Sequence, residues 1–347
     1  MQFLAFLLML VAGGGPLEKD APAAQCALHE PFGVEFNPAG EMVIVEMSKG
    51  QRVLKVDKEG MLRVIAGTGT KGYSGDGGPA TAATFNGIHN LAILPNGDLL
   101  LADSFNSTLR KIDAQTGIIT TVAGNGKSGF AGDGGPAKDA QFSTLIQVVL
   151  DPEKKHLYCA DIGNKRIRRI ELATWTVSTV AGDGKGGVPT DGADAVGAPL
   201  VDPRGVVPDA KGGFYILERN GNALRYVDAA GKIKTVVGTG QKGLTGDGGP
   251  ALAATMNGPK HLCLDRDGTV LIADAESHVI RRYDPVTGII KRVAGTGKAG
   301  VDGLNGDPLK AELRRPHGVT IGPDGALYIT DSYNDRIVKM ARDNGGK

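Results

Sequence analysis

The chain has 347 residues, 41% of them hydrophobic, which is enough apolar surface for a sizeable core and excludes global disorder. Lys and Arg number 39 against 38 Asp and Glu, a balance that gives no electrostatic reason to expect nucleic acid or an anionic membrane as partner. Three cysteines, Cys26, Cys159 and Cys263, lie far apart without C-x-x-C spacing, so they form neither a zinc site nor a disulfide framework and read as small apolar fillers.

The first segment, FLAFLLMLVA at 3–12, is wholly apolar. It has the length of a signal-peptide h-region and is too short to span a bilayer as a helix, although no Lys or Arg precedes it. LMLVAGGGP at 8–16 also echoes ITTVAGNGK further along, and DAPAAQCAL at 20–28 lines up with GGPATAATF at 77–85. Residues 1–20 therefore carry two readings: a signal peptide of a periplasmic or secreted protein, or a strand that closes a ring. Residues 21–347 are expected to form a single domain.

The stretch GTGTKG at 67–72 fits G-x-G-x-x-G, the pattern of a dinucleotide loop. It recurs as GNGKSG at 124, GDGKGG at 182, GTGQKG at 238 and GTGKAG at 295, at intervals of 57, 58, 56 and 57 residues. Five equivalent nucleotide sites in one small chain make no sense, whereas a fixed period defines a repeat architecture. Each unit carries a first apolar run ending in turn chemistry, such as LAILPNG at 91–97 or VTIGPDG at 319–325. A second run ends in an acid: Glu46, Asp103, Asp161, Glu218, Asp274 or Asp331. A third run begins about six residues later (TLRKID, RIRRIE, ALRYVD, VIRRYD, RIVKMA), and a fourth follows (ITTVAG, VSTVAG, KTVVG, KRVAG). Four short strands joined by tight turns, repeated at this period, predict propeller blades.

Long connectors follow the blades and end in sequences such as GDGGPATAATF. Asp-Gly-Gly tolerates positive φ and Pro starts a helical turn, so a short helical plug between blades is expected, with Phe85, Phe142, Leu200, Met256 and Leu313 as its large residues. Asp76, Asp133, Asp191 and Asp247 are of a type that ligates calcium, yet no EF-type spacing with a closing Glu accompanies them.

The units PHGVTIGPDGALYITDSYNDRIVKM at 316–340 and GPKHLCLDRDGTVLIADAESHVIRRYD at 258–284 resemble NHL repeats. The resemblance covers about residues 28–340 in six units. It implies an all-β, six-bladed β-propeller of four-stranded blades with long Gly-rich connectors, a fold used mostly as an interaction scaffold and more rarely as an enzyme. The last unit ends at Met340 without a fourth strand, and the N-terminal segment is the candidate to supply it.

Strand direction places the turns between second and third strands, the connectors and the starts of the first strands on one face, around the channel mouth. The residues ringing that mouth read Phe32, His89, Ile146, Arg204, Lys260 and His317, with Asn90, Gln147 and His261 one position on. Such a polar, basic ring suits an anion, a carboxylate-bearing ligand, or a metal held by imidazoles, zinc or calcium, with His89 and His317 as ligands.

The six-bladed peptidyl-hydroxyglycine amidating lyases place zinc histidines at such strand starts and a Tyr in a DGY turn. His89 in HNLA, His317 in PHGV and Tyr333 in DSYNDRIVK resemble those pieces, while Arg204 stands where the third histidine is expected. Lactonase-type propellers hold a divalent ion with Glu, Asn and Asp, and no full set of that kind is present. An acid closing every second strand reads as a turn former bonded to backbone N–H groups; Glu46 and Glu218, one methylene longer, are the two expected to reach the mouth.

The basic clusters on third strands, Lys165, Arg166, Arg168 and Arg169, then Arg281 and Arg282, read as solvated strand faces. No G-x-S-x-G elbow, Cys-His pair or H-E-x-x-H occurs. The expectation is a monomeric, non-catalytic scaffold that binds a protein, peptide or small anionic ligand on the connector face, without nucleic acid or a membrane span. The alternative is a metal-dependent lyase or hydrolase with its site at the channel mouth.

Overall fold

A computed structural model describes residues 7–341. Six antiparallel sheets, each built on four strands, make six blades around a central axis. The second blade shows the pattern: Ile88–Ile93, Leu99–Asp103, Thr108–Ile112 and Ile119–Ala123, running from the channel to the rim. The second strands are buried along their whole length in five blades, and in the third blade at every residue but His156. Neighbouring blades cover both of their faces, so these strands read as continuous apolar runs rather than alternating ones.

The sixth blade is assembled from both ends of the described chain. Leu8–Gly13 pairs antiparallel with Arg336–Met340, outside Leu327–Asp331 and Gly318–Ile321. Leu8 exchanges backbone bonds with the preceding connector as well, donating to Gly306 O at 3.1 Å and accepting from Asn305 N at 2.7 Å. Leu8 and Ala12 are fully buried. The segment at 8–13 is thus the outer strand of the closing blade; residues 1–6 and 342–347, which carry the rest of the apolar run and most of the tail, lie outside the described residues.

The recurring hexapeptide is a backbone crossing. Gly67 has φ +89°, and a Cβ there would sit 2.3 Å from Gln51 O; Gly124, Gly182, Gly238 and Gly295 repeat both the φ and the approach, each over the turn into its own third strand. Gly13 does the same over Asp335 O, which is a further mark of the N-terminal strand as a repeat member. Only glycine fits where φ is positive and a carbonyl oxygen occupies the Cβ position.

The connector plugs are single 3-10 turns at Ala80–Ala82, Ala137–Asp139, Ala195–Gly197, Ala251–Ala253 and Pro308–Lys310, with Ala23–Gln25 in the shortened first connector. Their large residues Phe85, Phe142, Leu200, Met256 and Leu313 are completely buried between blades. No helix among the described residues is long and apolar enough to cross a membrane.

Third-strand arginines are not solvated strand residues throughout. Arg110, Arg168 and Arg281 are completely buried, and each lies between a connector aspartate and its own second-strand acid. Arg110 donates to Asp76 at 2.8 and 3.0 Å, Arg168 to Asp133 at 2.7 and 3.0 Å, and Arg281 to Asp247 at 2.9 Å. The GDGG aspartates thus hold guanidinium groups, and the Arg stems pack on the plug: Arg110 and Arg168 lie 5.6 and 5.1 Å over the Phe85 and Phe142 rings.

In the last blade Leu304 stands in place of the aspartate and Val338 in place of the arginine, and both join one apolar cluster. There an arginine sits two residues earlier on the strand: Arg336 bonds Asp331 at 2.8 Å, as Arg52 bonds Glu46 at 2.7 Å in the first blade. The fold therefore uses two ways of neutralising the second-strand acid.

Candidate functional site

The first strand of several blades begins with an irregularity. Register shifts separate Pro31 from Gly33, Ile88 from Leu91, Leu145 from Val148 and Pro203 from Gly205. The unpaired residue at such a bulge is re-aimed, here towards the axis. Phe32, His89, Ile146, Arg204, Lys260 and His317, one from each blade, all line a single cavity of about 300 Å³ at the channel mouth. The turns after five of the six second-strand acids add Met47, Phe105, Ile162, Arg219 and Tyr333.

The mouth is chemically divided. Phe105, His89, Phe32, His317 and Tyr333 form an arc of rings across three adjacent blades. Successive centroids are 5.5, 5.3, 4.0 and 5.7 Å apart, and Phe32 stacks on His317. Arg315 continues the arc, 4.5 Å over the Tyr333 ring. Ile146 and Ile162 follow on the third blade, and Arg204, Arg219 and Lys260 close the ring from the fourth and fifth.

Phe32 lies between the two histidines expected to share a metal, and Arg204 occupies the place of a third. Among the described residues no three His, Cys, Asp or Glu side chains converge to hold a metal ion. Both imidazoles are instead fixed as neutral bases. His317 Nδ1 lies 2.8 Å from Arg315 O, and His89 Nδ1 lies 3.2 Å from Gly87 O and 2.9 Å from Ser104 Oγ, whose own proton goes to Leu145 O. Carbonyl oxygens only accept, so Nδ1 carries the proton in each ring and Nε2 keeps a lone pair.

Burial and then the positive charge of Arg204 press His89 down to about 3; burial with Lys260 and Arg204 lowers His317 well below its usual value. A base lowered on folding contributes stability that is whole above its unfolded value near 6.5 and is lost as pH falls towards the folded value. We expect both rings to remain uncharged at pH 5 by ¹⁵N chemical shifts of their ring nitrogens; a protonated His89 at that pH would contradict the assignment.

Arg204 is the least satisfied group in the ring. The residue is 6% exposed, and its Nε has no hydrogen-bond partner among the described residues. The neighbouring carboxylate, Asp202, is engaged by Arg219 at 2.8 Å. Lys260 is lowered to about 8, by burial first and by Arg204 and Arg315 against the pull of its partner Glu276 at 2.9 Å. Clustered positive charge that resists protonation of its own members is a site prepared for an anion.

The other expected site residues lie elsewhere. Asn90, Gln147 and His261 lie below the mouth and staple blades together: Asn90 Oδ1 accepts Val148 N, Gln147 Oε1 accepts Val206 N, and His261 Nδ1 accepts Val319 N, at 3.1–3.3 Å. At the same register Gly205 leaves room for Gln147, since a Cβ there would meet Gln147 Oε1 at 2.7 Å.

Glu46 and Glu218 do not reach the mouth. Both are fully buried, Glu46 accepting His29 N and Arg52, and Glu218 accepting Val201 N and Arg225. The same acid-to-amide bond recurs from Asp103, Asp274 and Asp331 to the residue 17 positions earlier, and from Asp161 to the residue 18 positions earlier. Nothing in their residue types marks Met47, Phe105, Ile162 and Arg219 in the sequence; their signal is the position one or two residues after the acid, which Tyr333 shares.

The architecture and the comparisons agree on class: a six-bladed β-propeller, all-β apart from single 3-10 turns. The NHL repeat family profile matches residues 313–340, which hold the three inner strands of the last blade. It is 28% identical over 79% of its length to the chloroplastic protein SUPPRESSOR OF QUENCHING 1 of Arabidopsis thaliana, covering 26% of that protein. It is 26% identical over 88% of its length to NHL repeat-containing protein 2 of Bos taurus, covering 46% of it. The chain thus spans half or less of these two relatives.

Among solved structures, an auxiliary nutrient binding protein from Bacteroides thetaiotaomicron superposes with TM-score 0.69 at 14% identity, over 97% of this chain and 76% of that one. A virginiamycin B lyase from Staphylococcus aureus, with quinupristin, superposes with TM-score 0.57 at 14% identity, over 97% and 99%. At such identities the likeness is one of fold.

Proposed function

We propose that the propeller is a binding module for a small amphipathic anion, held at the channel mouth with its acidic group on Arg204 and its apolar body against the aromatic arc. The observation that carries this reading is the buried, incompletely paired guanidinium in a cavity whose opposite wall is made of rings and isoleucines. Leaving such a group without an acceptor costs roughly 1–3 kcal/mol, which a carboxylate at that point recovers. The neutral Nε2 atoms of His89 and His317 add acceptors for a hydroxyl or amide of the same ligand. The Bacteroides nutrient-binding likeness supports a binding role.

An extracytoplasmic location belongs to the same reading, supported by the apolar run at 3–12. Because Leu8–Gly13 is a blade strand, an exported form with a closed ring keeps those residues.

3-Phenylpropionate is a suitable probe by titration calorimetry. Arg204→Gln is expected to weaken it roughly ten- to hundredfold, from the usual worth of a charge-assisted bond. Equal affinity of the variant would defeat the proposal. Binding should also weaken above pH 8, where Lys260 loses its proton, and should take up a fraction of a proton near pH 8 but none at pH 6.

A catalytic reading draws on the two unprotonated Nε2 atoms and on the lyase likeness. About one zinc or calcium per purified chain, lost in His89→Ala and His317→Ala, would favour it.

A further inference from the structure

Next to the channel-mouth cavity lies a second one of about 420 Å³, and the two share Arg219 and Lys260. The second is lined by Arg219, Lys242, Asn257, Lys260, Glu276 and Arg315, with little apolar wall. Its charges do not balance. Glu276 is shared between Lys260 at 2.9 Å and Arg315 at 2.5 Å, and Asp202 serves Arg219. Lys242 has no ion pair among the described residues. Arg315 Nε is buried and lacks an acceptor among the described residues, as does Arg204 Nε beside the first cavity. Each cavity is therefore lined by one guanidinium whose enclosed Nε has no acceptor among the described residues. Across the two, Arg204, Arg219, Lys242, Lys260 and Arg315 face two carboxylates.

We infer that the second cavity is an oxyanion site, and that the ligand carries two acidic groups: one on Arg204, the other between Lys242 and Arg315, with its apolar part on the aromatic arc. The inference rests on the anion-binding reading above and specifies its ligand. A monoanion on Arg204 leaves Arg315 unsatisfied and the excess positive charge of the second cavity uncompensated. A second carboxylate or phosphate removes both deficits, and a forked guanidinium beside a mobile ammonium is suited to either. Asn257 lines the same cavity as a neutral polar neighbour, and the Tyr333 ring steadies Arg315 from behind.

Inorganic phosphate probes the second cavity and 3-phenylpropionate the first, both by calorimetry on the full chain. Lys242 is exposed and lines only the second cavity, so Lys242→Met leaves the fold and the first cavity intact. It is expected to weaken phosphate about tenfold, with Arg315→Gln at least as damaging, while 3-phenylpropionate binding survives Lys242→Met. Benzylsuccinate, which has two carboxylates, should bind more tightly than 3-phenylpropionate to the unaltered protein and lose that advantage in Lys242→Met.

Phosphate binding that is absent, or indifferent to both substitutions, overturns the second site while leaving 3-phenylpropionate binding as the measure of the first. Phosphate binding that depends on Lys242, with no binding of either arene carboxylate, overturns the two-headed ligand and the parent reading together.

Discussion

Deletion of residues 1–13 is expected to leave a chain that is destabilised by about 5 kcal/mol or more and prone to self-association. Leu8 and Ala12 are fully buried, and the strand they belong to is bonded to Arg336–Met340 along its length and to Asn305 and Gly306 at its end. Burying the leucine side chain alone is worth about 2 kcal/mol, and each backbone bond lost from the edge adds roughly 0.5–1.5 kcal/mol. Removal also uncovers Leu313 and Val338, which share a cluster with Leu8, and bares an unpaired strand edge that recruits other chains.

Thermal unfolding and light scattering of the truncated chain make the comparison, with a fall in Tm of roughly 10 °C expected. A synthetic peptide of residues 7–15 should restore stability by adding back the missing strand. A truncated chain as stable and as monomeric as the intact one would mean that the N-terminal strand is dispensable. The N-terminal apolar run would then be free to act as a cleaved leader.

The second large effect concerns the buried arginines. At pH 8 Arg281→Val should cost about 3–5 kcal/mol, because a charged Asp274 is left in a dry interior without its counterion. Asp274 is already pushed up to about 7, by burial first and against the help of Asn257 N–H and Arg281. An acid raised on folding contributes stability that is whole below its unfolded value near 3.8 and is lost as pH rises through about 7. The penalty of Arg281→Val should therefore shrink between pH 8 and pH 5.

The last blade suggests the rescue. Adding Asp247→Leu and Val279→Arg copies the Leu304, Val338 and Arg336 arrangement into the fifth blade, and the triple variant should recover most of the loss in urea unfolding. If the triple variant is no better than Arg281→Val alone, the two arrangements are not interchangeable and their positions in the chain are fixed by something else.

The period of the Gly hexapeptide made the six blades readable, because a crossing that admits no Cβ must recur wherever the crossing recurs. The ring of Phe32, His89, Ile146, Arg204, Lys260 and His317 was readable for the same reason: equivalent positions in a closed repeat converge on the axis. Its chemistry was less so. Nothing in the residue types alone says that Phe32 separates His89 from His317, or that an adjacent Asn, Gln or His at 90, 147 and 261 turns sideways to bond the next blade.

The third-strand arginines illustrate the same limit. A run such as RIRRIE looks like a wet edge, yet Arg168 lies inside because a connector 35 residues upstream brings Asp133 over it. Long-range partners of that kind are set by the way blades stack, not by the local pattern. The pairing was visible in retrospect as a covariation within the single chain, since Leu304 and Val338 change together where Asp247 and Arg281 stand one repeat earlier.

The pairing of Leu8 with Met340 sets the two ends of the ring one strand spacing apart, about 5 Å. A longer polypeptide that entered at one and left at the other would carry the whole propeller on a single attachment point, as a bead on a stalk. The disc would then swing without stretching the flanking segments. Pulling on those segments would load first the hydrogen bonds that hold Leu8–Gly13 to the closing blade and its connector, which makes that seam the mechanical fuse of any larger assembly built around it.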